Sequence, residues 1–261
     1  MQCTYTIIGS NKNNMLNNKT IRIGLFMTIS LGWSLIWFGQ SYLFKKFFSN
    51  TPSLIAILFG LIPTIGLLIG AFIIKRKLPE REMSIIGKNS KMALLVVSVP
   101  IVCLTIFGVN NSFNVQPNLF GLLISIFTVI YAFFEEIGWR GYLQEEFKGK
   151  NQKWFGYVFV GIIWYLWHWY FLRTGGNPKL IMLPILIAAS IGIGEVAEIT
   201  KSILICGAVH SLANMIIIYP IIANNISLTE KLIVLVFCII IWVIAIRKIE
   251  KNKKKTAANT V

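Results

Sequence analysis

The chain has 261 residues, of which 56% are apolar and only 13% charged, where an ordinary soluble domain carries about 25% charge. That balance, together with apolar runs of 18 to 22 residues such as Ser53 to Ile74, which holds no charge at all, excludes a soluble fold with polar helix faces or alternating strands. The formal charge of +15 does not point to nucleic acid: Lys and Arg fall in the short gaps between apolar runs and in Lys251 to Lys255, as membrane topology and contact with anionic headgroups require.

Taken in chain order, residues 1–22 form a polar segment rich in Asn, Lys and Thr, without the early apolar core or small-residue cleavage site of a secretory signal, so the first apolar run is expected to stay as a signal anchor. Eight spans are predicted: Ile23 to Phe44, Ser53 to Ile74, Met92 to Val109, Phe120 to Gln144, Trp154 to Leu172, Leu180 to Ile199, Ser202 to Ile218 and Leu232 to Ile246. The sixth ends on Glu195 and Glu198 and the eighth has only fifteen uninterrupted apolar residues, so seven spans or a re-entrant piece is the alternative there. A basic tail, residues 247–261, follows. The expected fold is all-α, a polytopic transmembrane bundle of about eight helices forming one integral membrane domain over residues 23–246, with no internal repeat. Cys3, Cys103, Cys206 and Cys238 are scattered singly and define neither a disulfide framework nor a metal knuckle.

Charge gives the orientation. Eight spans place 19 Lys/Arg on the side of the two termini and 5 on the other, so both termini are predicted to be cytoplasmic in a multi-pass protein of the cell membrane. The one remaining basic residue, Arg140, lies inside the fourth span.

An ionisable group inside hydrocarbon costs roughly 2.5–3.5 kcal/mol even on insertion scales, so each needs a partner or a function. Here they are few and grouped: Glu135, Glu136 and Arg140 in the fourth span, His168 in the fifth, His210 and Asn214 in the seventh. Residues four apart share a helix face, so Glu136 is expected to pair with Arg140 while Glu135 points elsewhere, and His210 and Asn214 are expected to converge. Counted from the basic ends of their spans, Glu135 is 13 residues past Lys148, His168 is 15 past Lys153 and His210 is 9 past Lys201. Those counts correspond to roughly 20, 22 and 14 Å, a similar level along straight helices. A carboxylate and two imidazoles in a dry cavity can deprotonate a water directly or hold a metal that does so, and Asn214 with a histidine can donate to an oxyanion.

These residues resemble a known family. Glu135-Glu136-Ile-Gly-Trp-Arg140-Gly141 is similar to the EExxxR motif of the CPBP family of intramembrane proteases, also called the Abi or type II CAAX endopeptidase family. Trp164-Tyr-Leu-Trp-His168 stands at the place of its FxxxH motif, with Trp164 where the family usually has Phe, and His210-Ser-Leu-Ala-Asn214 resembles HxxxN. The likeness covers residues 118 to 220. It implies Glu135 as the water-activating carboxylate, His168 as its partner on that water, His210 and Asn214 as the oxyanion pair, and Glu136 and Arg140 as support. The same set serves either a bound divalent metal such as Zn2+, held by Glu135, His168 and His210, or a metal-free glutamate mechanism, and both stay open. The implied partners are membrane lipid and a peptide or protein substrate at the membrane, with no nucleic acid.

Plainer roles are available for several of these groups. Glu136 and Arg140 could be an ion pair that fixes helix packing, and the Glu135 and histidine cluster a polar glue between helices. Glu145 and Glu146 read as interfacial charges, Glu195 and Glu198 as a helix end, Trp154, Trp167 and Trp169 as belt or packing residues, and Gly138 and Gly141 as points of close helix approach. The chain contains no Asp and no HExxH, which excludes a paired-aspartate protease and the site-two zinc type. Gly32-Trp33-Ser34 is a lone GxS with no histidine nearby in sequence. Two functions remain: an intramembrane endopeptidase, or a non-hydrolytic membrane protein acting in bacteriocin self-immunity or transport.

Overall fold

The computed structural model describes residues 18–39, 58–75, 83–147, 152–168 and 180–258. Among them every principal element is helical: α1 (Lys19–Gly39), α2 (Ile62–Lys75), α3 (Ser90–Phe107), α4 (Pro117–Gly138), α5 (Lys153–Trp167), α6 (Met182–Thr200), α7 (Ile203–Ala213), the short α8 (Pro220–Ala223) and α9 (Leu228–Ala258). The all-α expectation is met, and the long helices follow the eight apolar runs in order. The predicted span ends at Phe44, Ser53 and Leu172, together with Cys3 and Trp169, lie outside the described residues.

Length separates the helices into two groups. Five stretches, Lys19–Trp37, Ser90–Phe107, Pro117–Phe147, Met182–Thr200 and Leu228–Asn252, are long and apolar enough to cross a bilayer. Ile62–Ile74 and Ile203–Ile218 are shorter, the latter roughly 24 Å at 1.5 Å per residue, below the ~30 Å hydrocarbon thickness. The eighth span, weakest by its apolar run, is the longest helix, because α9 continues unbroken through the basic tail to Ala258.

The surface is apolar and the inside carries the charge. Leu35, Ile36, Phe72, Ile106, Ile217 and Ile244 each expose more than half of their surface, while Glu135, Glu136 and Arg140 expose none. Water would penalise that distribution and lipid favours it.

Helix ends are built by local hydrogen bonding. At α4, the Gln116 side chain accepts from Leu119 N at 2.7 Å and Pro117 occupies the first turn, where a missing N–H costs nothing. At α7, Ser202 Oγ accepts from Ile205 N at 3.2 Å, and the carbonyls of Ser84 and Ile85 receive Ile203 N and Leu204 N at 3.0 and 2.9 Å. The segment before α3 thus supplies the acceptors that the first turn of α7 lacks. Ser227 and Glu230 form a reciprocal capping box at α9, with bonds of 2.6 and 3.2 Å.

Small residues set the closest crossings. A Cβ at Gly121 would collide with Leu104 O where α4 meets α3, and one at Gly207 would lie 2.9 Å from Phe133 Cα where α7 meets α4. Gly138 and Gly141 behave as their sequence context predicts, against Leu67 and Ile203. Helix α4 belongs to both halves of the core: its C-terminal part joins α1, α2, α5 and α6, and its N-terminal part joins α3, α7 and α9. That central place puts Glu135 and Glu136 in the interior.

Candidate active site

Glu135 and Glu136 end the last regular turns of α4, and the next residues, Trp139–Leu143, wind as a π-helical turn. A second π turn, Asn214–Ile218, begins at Asn214 directly after α7. Such turns widen the helix by a residue and occur often at functional sites. Neither has a signature that sequence periodicity could reveal.

Glu136 is the hub of one half of the cluster. Its Oε1 receives Arg140 Nη1 at 2.9 Å, the pairing that the four-residue spacing predicts, and His210 Nδ1 at 2.8 Å from across the bundle. Arg140 also donates to Ser190 Oγ at 3.3 Å, and Ser190 Oγ in turn donates to Tyr157 O at 2.9 Å, tying the pair to α6 and α5. The sequence grouped His210 with Glu135; the structure bonds it to Glu136. A carboxylate only accepts, so this bond puts the His210 hydrogen on Nδ1 and leaves Nε2 at the opposite edge of the ring.

Glu135 has different surroundings. Its Oε2 accepts two indole N–H groups, from Trp164 at 2.9 Å and Trp139 at 3.2 Å, while Oε1 has no hydrogen-bond partner among the described residues. Tyr131 and Tyr219, whose rings meet edge-on at 5.7 Å, flank the same carboxylate. His168 caps α5 and interacts electrostatically with both Glu135 and His210. Its Nδ1 lies 2.9 Å from Trp164 O, an acceptor, so the hydrogen is again on Nδ1. Asn214 is buried, with Nδ2 unpartnered among the described residues.

The structure therefore brings Glu135, Glu136, Arg140, His168 and His210 into one interior cluster, with Asn214 one turn beyond His210 on the same helical path. Among the described residues no three His, Cys, Asp or Glu form a set that could hold a metal ion. In the expected ligand trio of Glu135, His168 and His210, the indoles engage Glu135 through Oε2 and Glu136 engages His210 through Nδ1, so a metal held there would be met by Glu135 Oε1 and His210 Nε2.

Other sequence expectations change. Glu146, read as an interfacial charge, is buried and ion-paired with Arg22 of α1 at 2.7 Å. Glu195 and Glu198 do lie toward the end of α6, where they pair with Lys153 and Lys201, each at 2.7 Å. Trp154 is exposed, whereas Trp167 packs inside against Trp139 and His168. Ser34 of the lone GxS donates to Trp167 O at 3.0 Å, a bond between α1 and α5. Missed altogether were the indole bonds of Trp139 and Trp164, for which only the number of tryptophans near the motifs was a signal.

The fold and site define a multi-pass helical membrane protein with a buried carboxylate, imidazole and amide cluster. Residues 117–216 match the family model described as type II CAAX prenyl endopeptidase Rce1-like. This segment is similar to peptidases of the CAAX protease type, in agreement with the CPBP resemblance, and it contains all six site residues. No curated protein and no solved structure matches the chain.

Proposed function

We propose that the protein is an intramembrane endopeptidase that hydrolyses a peptide bond of a membrane-associated peptide or protein, with Glu135, His168, His210 and Asn214 as its catalytic residues. The observation that carries this reading is that the buried polar atoms without a hydrogen-bond partner among the described residues include both an acceptor, Glu135 Oε1, and a donor, Asn214 Nδ2. A buried polar atom without a partner is costly, and hydrolysis uses both kinds: an acceptor to take a proton from water and a donor to meet the developing oxyanion.

In this reading water lies between Glu135 Oε1 and His168. Glu135 removes a proton as the oxygen attacks the scissile carbonyl carbon, and Asn214 Nδ2 donates a hydrogen bond to the resulting oxyanion, joined by Nε2–H of His210 in its imidazolium form, whose Nδ1–H Glu136 holds. Glu135 then returns the proton to the amide nitrogen as the C–N bond breaks. Glu136 and Arg140 support the reaction: Glu136 fixes the His210 ring, and Arg140 offsets the second carboxylate.

The proposed unit is one membrane domain over residues 23–246 with its catalytic core at about 118–220 and both termini cytoplasmic, an orientation that rests on the 19 to 5 division of basic residues. The reading is tested with purified protein in proteoliposomes and an internally quenched peptide ending in a prenylated CAAX sequence. Cleavage that His168→Ala abolishes supports it. Intact peptide with wild-type protein, together with a self-immunity phenotype that the Glu135→Ala, His210→Ala double variant still complements, overturns it. Metal content of the active preparation, and the effect of a chelator, decides between a metal-dependent and a metal-free route.

A further inference from the structure

Trp164 touches each proposed catalytic side chain of the first two motifs and one of the third. Its indole N–H donates to Glu135 Oε2 at 2.9 Å, and its backbone carbonyl accepts from His168 Nδ1 at 2.9 Å. Its ring meets the His210 ring edge-on at 4.7 Å, and the Arg140 guanidinium lies 5.1 Å from its ring centre. It is 3% exposed. Trp139 supplies a second indole N–H to the same Glu135 oxygen, from the π turn of α4.

We infer that Trp164 is a positioning residue for the water-activating pair, holding Glu135 through its indole N–H and His168 through its carbonyl, with Trp139 as the second donor to Glu135. The inference rests on the reading of Glu135 and His168 as that pair. Two donors on Oε2 restrict rotation of the carboxylate and leave Oε1 as the one oxygen without a partner, so a single atom is presented for proton abstraction. A phenylalanine at position 164 would keep the ring contacts and lose the N–H. This chain therefore holds its glutamate by a bond that the usual residue of the motif does not make.

The fold also explains why the clamp is rigid. Trp164 sits in α5, which packs on α6 through Gly161, where a Cβ would lie 2.7 Å from Ile187 Cα. Trp139 packs edge-on against Trp167 and Phe26, at 6.1 Å in each case. Neither indole can swing away without opening the core.

The experiment has two arms on the full chain in nanodiscs. In the first, indole 15N–1H resonances of Trp139 and Trp164, assigned from Trp139→Phe and Trp164→Phe, are compared between wild type and Glu135→Ala. Both resonances should move; if neither does, there is no clamp. In the second, Trp164 is replaced by benzothienylalanine, which keeps the bicyclic shape and lacks the N–H, alongside Trp164→Phe. Turnover of the quenched peptide should fall about tenfold or more at unchanged KM and unchanged melting temperature, and Trp164→Phe with Trp139→Phe should fall further. Full turnover in both Trp164 variants, with Glu135→Ala inactive, overturns the clamp and leaves the protease reading standing. Turnover retained in Glu135→Ala overturns the reading of Glu135 as the water-activating carboxylate, and no turnover in wild type overturns the protease reading, while the resonance shifts still report on the bond.

Discussion

Glu136 and His210, 74 residues apart, are joined by a 2.8 Å bond between Oε1 and Nδ1, and the same oxygen also receives Arg140. One buried carboxylate thus serves an ion pair within its own helix and the tautomer of a histidine on another. Among the described residues each of the two adjacent glutamates keeps one oxygen unpartnered, and they differ in what holds the other: Arg140 and His210 on Glu136 Oε1, two indoles on Glu135 Oε2.

Removing Glu136 should therefore damage the fold as well as the chemistry. Glu136→Ala leaves the Arg140 guanidinium buried without its carboxylate, and breaking a buried pair in this way costs about 3–5 kcal/mol. Thermal unfolding in detergent should show a large drop. Glu136→Gln, which still accepts a hydrogen bond, should recover part of the stability, with turnover remaining well below wild type.

Asn214→Ala should separate binding from catalysis. Nδ2 has no ground-state partner among the described residues, so its loss should leave the melting temperature close to wild type. The expected effect is a fall of about 10²–10³ in kcat with little change in KM, the size found when one oxyanion donor is removed. A change confined to KM would assign Asn214 to substrate binding.

Gly207→Ala tests the crossing that sets the site. The new Cβ would lie 2.9 Å from Phe133 Cα and 3.0 Å from its N, backbone atoms that cannot rotate aside, so α7 must shift from α4. That shift should cost about 1–3 kcal/mol and carry His210 away from Glu136. Gly192→Ala, where no atom lies within 4 Å of the added carbon, is the control and should be neutral or slightly stabilising.

Arg22→Ala addresses a connection far from the chemistry. The guanidinium is bonded to Glu146 through both Nε and Nη2, at 3.0 and 2.7 Å, and holds the start of α1 to the end of the α4 segment. Its loss leaves a buried carboxylate unpaired, an expected cost of about 1–3 kcal/mol. Adding Glu146→Gln should restore part of it, measured by thermal unfolding of the single and double variants.

What was legible in the sequence follows the range of each interaction. The helices could be read because apolar run length is local, and the Glu136–Arg140 pair because it spans one turn of one helix. The Glu136–His210 and Arg22–Glu146 bonds could not, since they join helices whose relative rotation no periodicity encodes. Depth counted along straight helices brings Glu135, His168 and His210 to a similar level, but it carries no information on which of two adjacent glutamates a ring on another helix meets. The tryptophans were read by their bulk, as belt or packing residues, while their N–H groups carry the bonds to Glu135.

The most direct measurement is turnover and thermal stability of Glu135→Gln, determined on the same preparation. The side chain keeps its size and can still accept the indole bonds, but it can no longer take a proton from water. The account predicts a melting temperature within a few degrees of wild type and a loss of turnover of 10³-fold or more, roughly 4 kcal/mol of transition-state stabilisation. A Glu135→Gln protein that folds and cleaves at the wild-type rate would contradict it.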